Sequence, residues 1–131
     1  ATNWRDDATL LTQALRIHPH VARSRVSLAA TLYNAGLYED AAWNTLLAHA
    51  YFTRFPRPIP ETDFPATWDD QPLDQRLAAL RTSLGDPTYA QVLSRTQRTI
   101  TDLHMLESAR LIDRWLKNLP STQEVQTGDT P

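Results

Sequence analysis

The chain has no cysteine, only three glycines and a single methionine among its 131 residues. Without thiols there is no disulfide, no thiolate-bound metal and no cysteine nucleophile, and the redox compartment stays open. The sparse glycines form no phosphate-cradling loop, and no strand-turn-helix nucleophile elbow occurs. No apolar run approaches the roughly 18 residues of a membrane span, so this segment is not expected to insert. An excess of charge is missing too. Thirteen Lys and Arg stand against fifteen Asp and Glu, a formal net charge of −2, which gives no general electrostatic pull toward nucleic acid. Ala1 is not an initiator Met and no signal-peptide pattern follows it, which reads as a piece of a longer polypeptide. One compact domain is expected, burying roughly two-thirds of the surface its unfolded chain exposes.

What the chain does have is helical periodicity punctuated by start and stop residues. Trp4, Ala8, Leu11 and Leu15 recur at helical spacing over 4–18, with Asn3 placed to cap the start and Asp6 and Asp7 at the positive end of the dipole. Val21, Leu28, Ala29 and Leu32 predict a second helix over 21–35, stopped by Gly36, and Tyr38, Ala41, Ala42, Leu46 and Phe52 a third over 38–55. Five of the nine prolines then fall within 56–72, which predicts an extended connection over 56–71. Leu73, Leu77, Leu80 and Leu84 mark a helix over 72–84 that ends at Gly85. Asp86 and Pro87 restart the chain, and an apolar stripe from Tyr89 to Leu119 without internal Gly or Pro predicts one long last helix of roughly 30 residues, with "TDLHM" at 101–105 the place where a break would fall. The segment 120–131 lacks an apolar face and is expected to be disordered. The fold class is therefore all-α: helical hairpins in 1–55, a Pro-rich connection, and a C-terminal helical pair in 72–119 that includes the long last helix.

Comparing the chain with itself at an offset of 34 residues pairs Trp4 with Tyr38, Asp6 with Asp40, Ala8 with Ala42 and Ala14 with Ala48; 34 residues is the tetratricopeptide period. On these residues the segment 22–55 resembles one full tetratricopeptide repeat, and 4–19 the second helix of the repeat before it. The family's first-helix motif falls on Arg25, Leu28, Ala29 and Leu32, its turn glycine on Gly36, the aromatic after the turn on Tyr38, its small second-helix residues on Ala41 and Ala48, and its closing proline on Pro19 one repeat earlier. Arg25 stands where the motif has Trp, Thr45 where it has an aromatic, and the proline expected at Thr53 is displaced to Pro56. The resemblance implies a non-catalytic module that binds a protein or peptide partner, with Arg23, Val26, Ser27, Ala30, Tyr33 and Asn34 facing a concave groove. The chain's own C-terminal helices are the competing occupant of that groove. The residues do not reproduce the pattern by which some members clamp a C-terminal carboxylate.

A second likeness concerns context. The stretch from Asn3 to Leu32 is similar to the segment in which tetratricopeptide tails begin after the last membrane span of certain polytopic sugar transferases. That likeness implies the tail of a membrane glycosyltransferase, lying outside the cytoplasm; without it a cytoplasmic module is expected. The alternative function is a regulatory or substrate-presenting domain of an enzyme, binding a peptide acceptor or small ligand in the groove.

No catalytic residue, metal ligand or cofactor is assigned. His18 and His20 end a helix, and His49 and His104 are isolated. The paired carboxylates at 6–7 and 69–70 sit where helices begin, and acidic residues there favour the dipole, whereas acid-base chemistry needs a shielded pair with separated pKa values. Arg95, Arg98, Arg110, Arg114 and Lys117 alternate with Asp102, Glu107 and Asp113, which reads as a solvated, salt-bridged face. Trp115 and Trp68 are expected to anchor the Pro-rich connection to the bundle, and the long last helix offers a surface for homodimerisation.

Overall fold

A computed structural model describes residues 3–17, 22–54 and 72–119. These form six α-helices and, among the described residues, no strand: α1 (Trp4–Ile17), α2 (Ala22–Asn34), α3 (Tyr38–Arg54), α4 (Leu73–Leu84), α5 (Asp86–Asp102) and α6 (Leu106–Lys117). No described helix is long and apolar enough to cross a membrane. The Pro-rich connection 56–71, Trp68, the histidines at 18 and 20, the Asp69–Asp70 pair and the tail 120–131 lie outside the described residues.

The N-terminal helices follow their sequence signals closely. Asn3 caps α1, its Oδ1 accepting from Arg5 N at 3.1 Å. The turn after α2 is a Schellman motif: Leu37 N donates to Leu32 O at 2.9 Å and Gly36 N to Tyr33 O at 2.9 Å. Gly36 sits at φ +84°, a left-handed backbone that side chains disfavour. Leu32 is buried and Leu37 packs on the core beside it, which closes the motif with an apolar pair. Helices α1 and α3 begin 34 residues apart. Ala8 and its echo Ala42 are both fully buried, but Ala14 and Asp6 are exposed where Ala48 and Asp40 are buried. The reason is position: α1 packs chiefly on α2, whereas α3 is covered by α2, α5 and α6.

The central element is α3, in which every residue from Asp40 to Ala48 is buried. The fully buried small residues Ala29, Ala41 and Ala42 let α2 and α3 approach closely, and this is the most extensive helix pairing in the molecule. Trp43, Leu46, Leu47, Leu80, Leu93, Ile100 and Ile112 complete the interior. The buried threonines satisfy their hydroxyls locally: Thr12, Thr45 and Thr96 donate to the carbonyl four residues earlier at 2.7, 2.9 and 2.7 Å.

The long last helix expected from the sequence is two helices. Residues 103–105 form a second Schellman turn, in which Met105 N donates to Ile100 O at 3.0 Å and His104 N to Thr101 O at 3.0 Å. His104 takes the left-handed position at φ 60°, a place usually held by glycine. The apolar pair Ile100 and Met105, exposed by 0% and 5%, closes this turn as Leu32 and Leu37 close the first. Leu103 and Leu106, which a continuous stripe would bury, are instead about half exposed. The C-terminal part is thus three helices rather than a pair. The surface that one long helix would have offered for homodimerisation is divided between α5 and α6.

Candidate interaction surface

Helix α2 is flanked by α1 on one side and α3 on the other, and one strip of it remains open. Arg23, Ser27, Ala30 and Asn34, spaced by four, three and four residues, are all exposed, and Val26 is half-buried at the edge of the strip. The inward side of the same helix carries Arg25, Leu28, Ala29 and Leu32, all fully buried. The two small side chains, Ser27 and Ala30, leave backbone close to the surface at the middle of the strip.

Tyr33, the remaining residue of the expected groove, has a different place. It packs on the core, its ring stands 4.9 Å from that of Tyr38, and its hydroxyl accepts from Glu107 N at 3.4 Å. Ser108 Oγ donates to Tyr38 O at 2.7 Å next to it. Tyr33 is therefore the wall where α6 meets the α2–α3 turn. Beyond that wall a cleft of about 450 Å³ opens between the turn and α6, bordered by Tyr38, Glu39, Glu107, Arg110 and Arg114. Its charges are largely spoken for: Glu107 pairs with Arg110 at 3.5 Å, and Asp40, at its base, pairs with Arg76 inside the protein. The salt-bridged α6 face expected from the sequence is present, with Lys117 Nζ 3.0 Å from Asp113.

A buried polar seam runs along α3, and the sequence reading did not include it. Arg25, fully buried, lays its guanidinium 4.6 Å from the centre of the Tyr51 ring and donates to Asn44 Oδ1 at 3.5 Å. Asn44 Nδ2 donates to Asp40 O at 2.9 Å. At the far end Arg76 from α4 donates to Asp40 Oδ1 at 3.1 Å with its guanidinium 5.3 Å from the Trp43 ring. The signal was the phase of the arginines. Arg25 precedes Leu28 and Leu32 by three and seven residues, and Arg76 keeps step with Leu73 and Leu80, so each is on the inward side of its helix.

No group of three or more His, Asp or Glu among the described residues could hold a metal ion. Asp6 and Asp7 lie in the first turn of α1, the place their dipole role requires. His49 shares a hydrogen bond with Thr99 Oγ1 at 2.8 Å between α3 and α5. No protein-family model, no curated protein and no solved structure matches this chain.

His49 does give the fold a pH dependence. Burial, and secondarily the nearby Arg95 charge, hold its pKa below the ordinary histidine value of 6.5. A histidine whose folded pKa is depressed takes up more protons when unfolded, so stability falls as pH drops below 6.5 and levels off beneath the folded pKa. Urea unfolding of wild type and His49→Gln across pH 5 to 8 is expected to show two stability curves at constant separation above about pH 6.5 that converge as pH falls below it. Curves that stay parallel below pH 6.5 as well would mean that His49 does not carry the effect.

Proposed function

We propose that this chain is a non-catalytic interaction domain of the tetratricopeptide-like kind, which holds a protein or peptide partner along the open strip of α2. One observation carries the reading. A helix packed on both sides exposes a regular row of Arg23, Ser27, Ala30 and Asn34, in which a partner meets two small side chains between polar ends. Small residues at the centre let a partner's backbone approach, and Arg23 and Asn34 supply a charge and a two-way hydrogen-bonding amide at the ends. In the setting implied by the likeness to sugar-transferase tails, the strip would serve a membrane enzyme as an accessory surface, and apolar spans encoded upstream would favour that setting.

The test uses variants that leave the fold alone. Substitutions at exposed positions away from caps and ion pairs usually change stability by about 0.5 kcal/mol or less, so Ala30→Arg and Arg23→Glu should keep wild-type circular dichroism and melting. A photo-crosslinker placed at Ser27 should trap a partner that one placed at the exposed Ala79 of α4 does not, and Ala30→Arg should reduce the yield at least tenfold. Equal trapping from both positions, or full yield from folded Ala30→Arg, removes α2 as the binding surface.

A further inference from the structure

A second surface is built by α4, α5 and α6, independent of the α2 strip. Helices α4, α5 and the end of α6 enclose a groove of about 320 Å³ whose apolar lining includes Leu77, Trp115 and Leu119. Tyr89 on α5 borders it and is only 4% exposed. A tyrosine so deeply covered ordinarily finds a hydrogen-bond partner for its hydroxyl. This one has none among the described residues. It is not sealed in either, since the fully enclosed side-chain atoms lacking a partner are Arg76 Nε and Gln97 Oε1. The hydroxyl keeps access to the groove, and burial raises its pKa to about 12, so it stays a donor.

Two more donors sit on the same rim. Neither the Trp115 indole N–H nor the Asn118 side-chain amide makes a hydrogen bond among the described residues, and both residues border the groove. Arg81, the cation on the rim, is occupied by Asp86 through paired contacts of 2.8 and 3.1 Å. The groove therefore offers neutral donors over an apolar, aromatic floor, with the exposed Asp74 carboxylate at its edge. A ligand that fits carries successive carbonyl acceptors and apolar side chains with few N–H groups of its own. Proline-rich peptide has that chemistry: its residues lack the N–H, and its extended helix is formed before binding.

We infer that the α4–α5–α6 groove binds a proline-rich extended peptide of a partner, with Trp115 and Leu77 receiving proline rings and Tyr89 and Asn118 donating to the peptide carbonyls. The chain's own Pro-rich stretch is the competing occupant, and the part of it joined to α4 is the poorer match. The residues directly before Pro72 are Asp69, Asp70 and Gln71, and a carboxylate in an apolar groove bears a heavy desolvation cost.

The probe is a blocked decaproline peptide titrated into the 15N-labelled chain. The Trp115 indole and Asn118 amide resonances are expected to shift saturably. Tyr89→Phe, which keeps the ring, should weaken binding about fivefold through one lost hydrogen bond, and Asn118→Ala, at an exposed position, by a similar factor. Gln91→Ala, on the exposed side of α5 and outside the groove, should bind as wild type does. The inference is overturned if wild type shows no saturable shift, as it would if residues 56–71 already filled the groove. It is equally overturned if an alternating Ala-Gln decapeptide binds as well, or if Tyr89→Phe and Asn118→Ala bind undiminished.

Discussion

Asp40→Ala is expected to lower stability by about 3–5 kcal/mol, a large part of the roughly 5–15 kcal/mol that holds a domain of this size together. The Arg76 and Asp40 side chains are 8% and 10% exposed and meet at 3.1 Å. With the carboxylate gone, a guanidinium shielded from water keeps the Trp43 face and little else, and its Nε already lacks an acceptor. The loss reaches beyond one bond. Helix α4 packs chiefly on α5, and this ion pair ties it to the first turn of α3. Urea unfolding should show a midpoint lower by roughly 2 M in Asp40→Ala, with Asp40→Asn less affected because one acceptor remains. The pair need not be a net stabiliser, since apolar replacements of buried ion pairs are often neutral or favourable. Asp40→Leu combined with Arg76→Met is therefore expected to recover most of the deficit. A double variant as unstable as Asp40→Ala would mean that the carboxylate acts through something other than Arg76.

Arg25, Asp40 and Arg76 also show where sequence reading works and where it stops. Their phase was legible, because each shares the inward side of its helix with buried leucines or alanines. Their partners were not, because a cation enters a core only where a particular ring and carboxylate wait for it, and those lie 26 to 36 residues away along the chain. The helices of the first hairpin were legible to within a residue at most ends, since Asn3 and Gly36 mark their own boundaries through backbone chemistry. The turn at 103–105 was legible only as the place, 101–105, where a break would fall, because His104 fills the left-handed position without the glycine that would announce it. What stabilises that turn is a long-range fact, the shared burial of Ile100 and Met105.

The candidate surfaces divide in the same way. The exposed row on α2 follows from helix geometry alone, since the residues opposite Leu28 and Leu32 must face outward. Tyr33 escaped the pattern because α6 folds back onto it, which needs the break at His104. The groove beside Tyr89 was invisible for that reason as well. Leu77, Tyr89 and Trp115 come from three helices, and a continuous helix over 88–119 would have carried Trp115 away from the other two. The break between α5 and α6 is thus what creates the second surface.

The other large effect is expected at Tyr51, only 1% exposed near the end of α3. Truncating a buried aromatic to alanine costs about 3–5 kcal/mol through lost burial and the cavity left behind, and here the ring also carries a buried cation. Burial holds the Arg25 pKa down to about 10, while interactions with Tyr51, including a hydrogen bond, oppose that fall. Because the folded pKa lies below the unfolded one, charging Arg25 works against folding at every pH below about 10, so no acid or neutral titration will reveal it. A mutant cycle will. Tyr51→Ala is expected at or above the upper end of that range, and Tyr51→Phe, which keeps the ring and loses the hydroxyl, at about 1–2 kcal/mol. In an Arg25→Met background the same Tyr51→Ala change should cost at least about 1 kcal/mol less, since the cation it strands is gone. Additive effects in that cycle would show that Asn44 and the packing around α2, rather than the Tyr51 ring, make the arginine tolerable in the core.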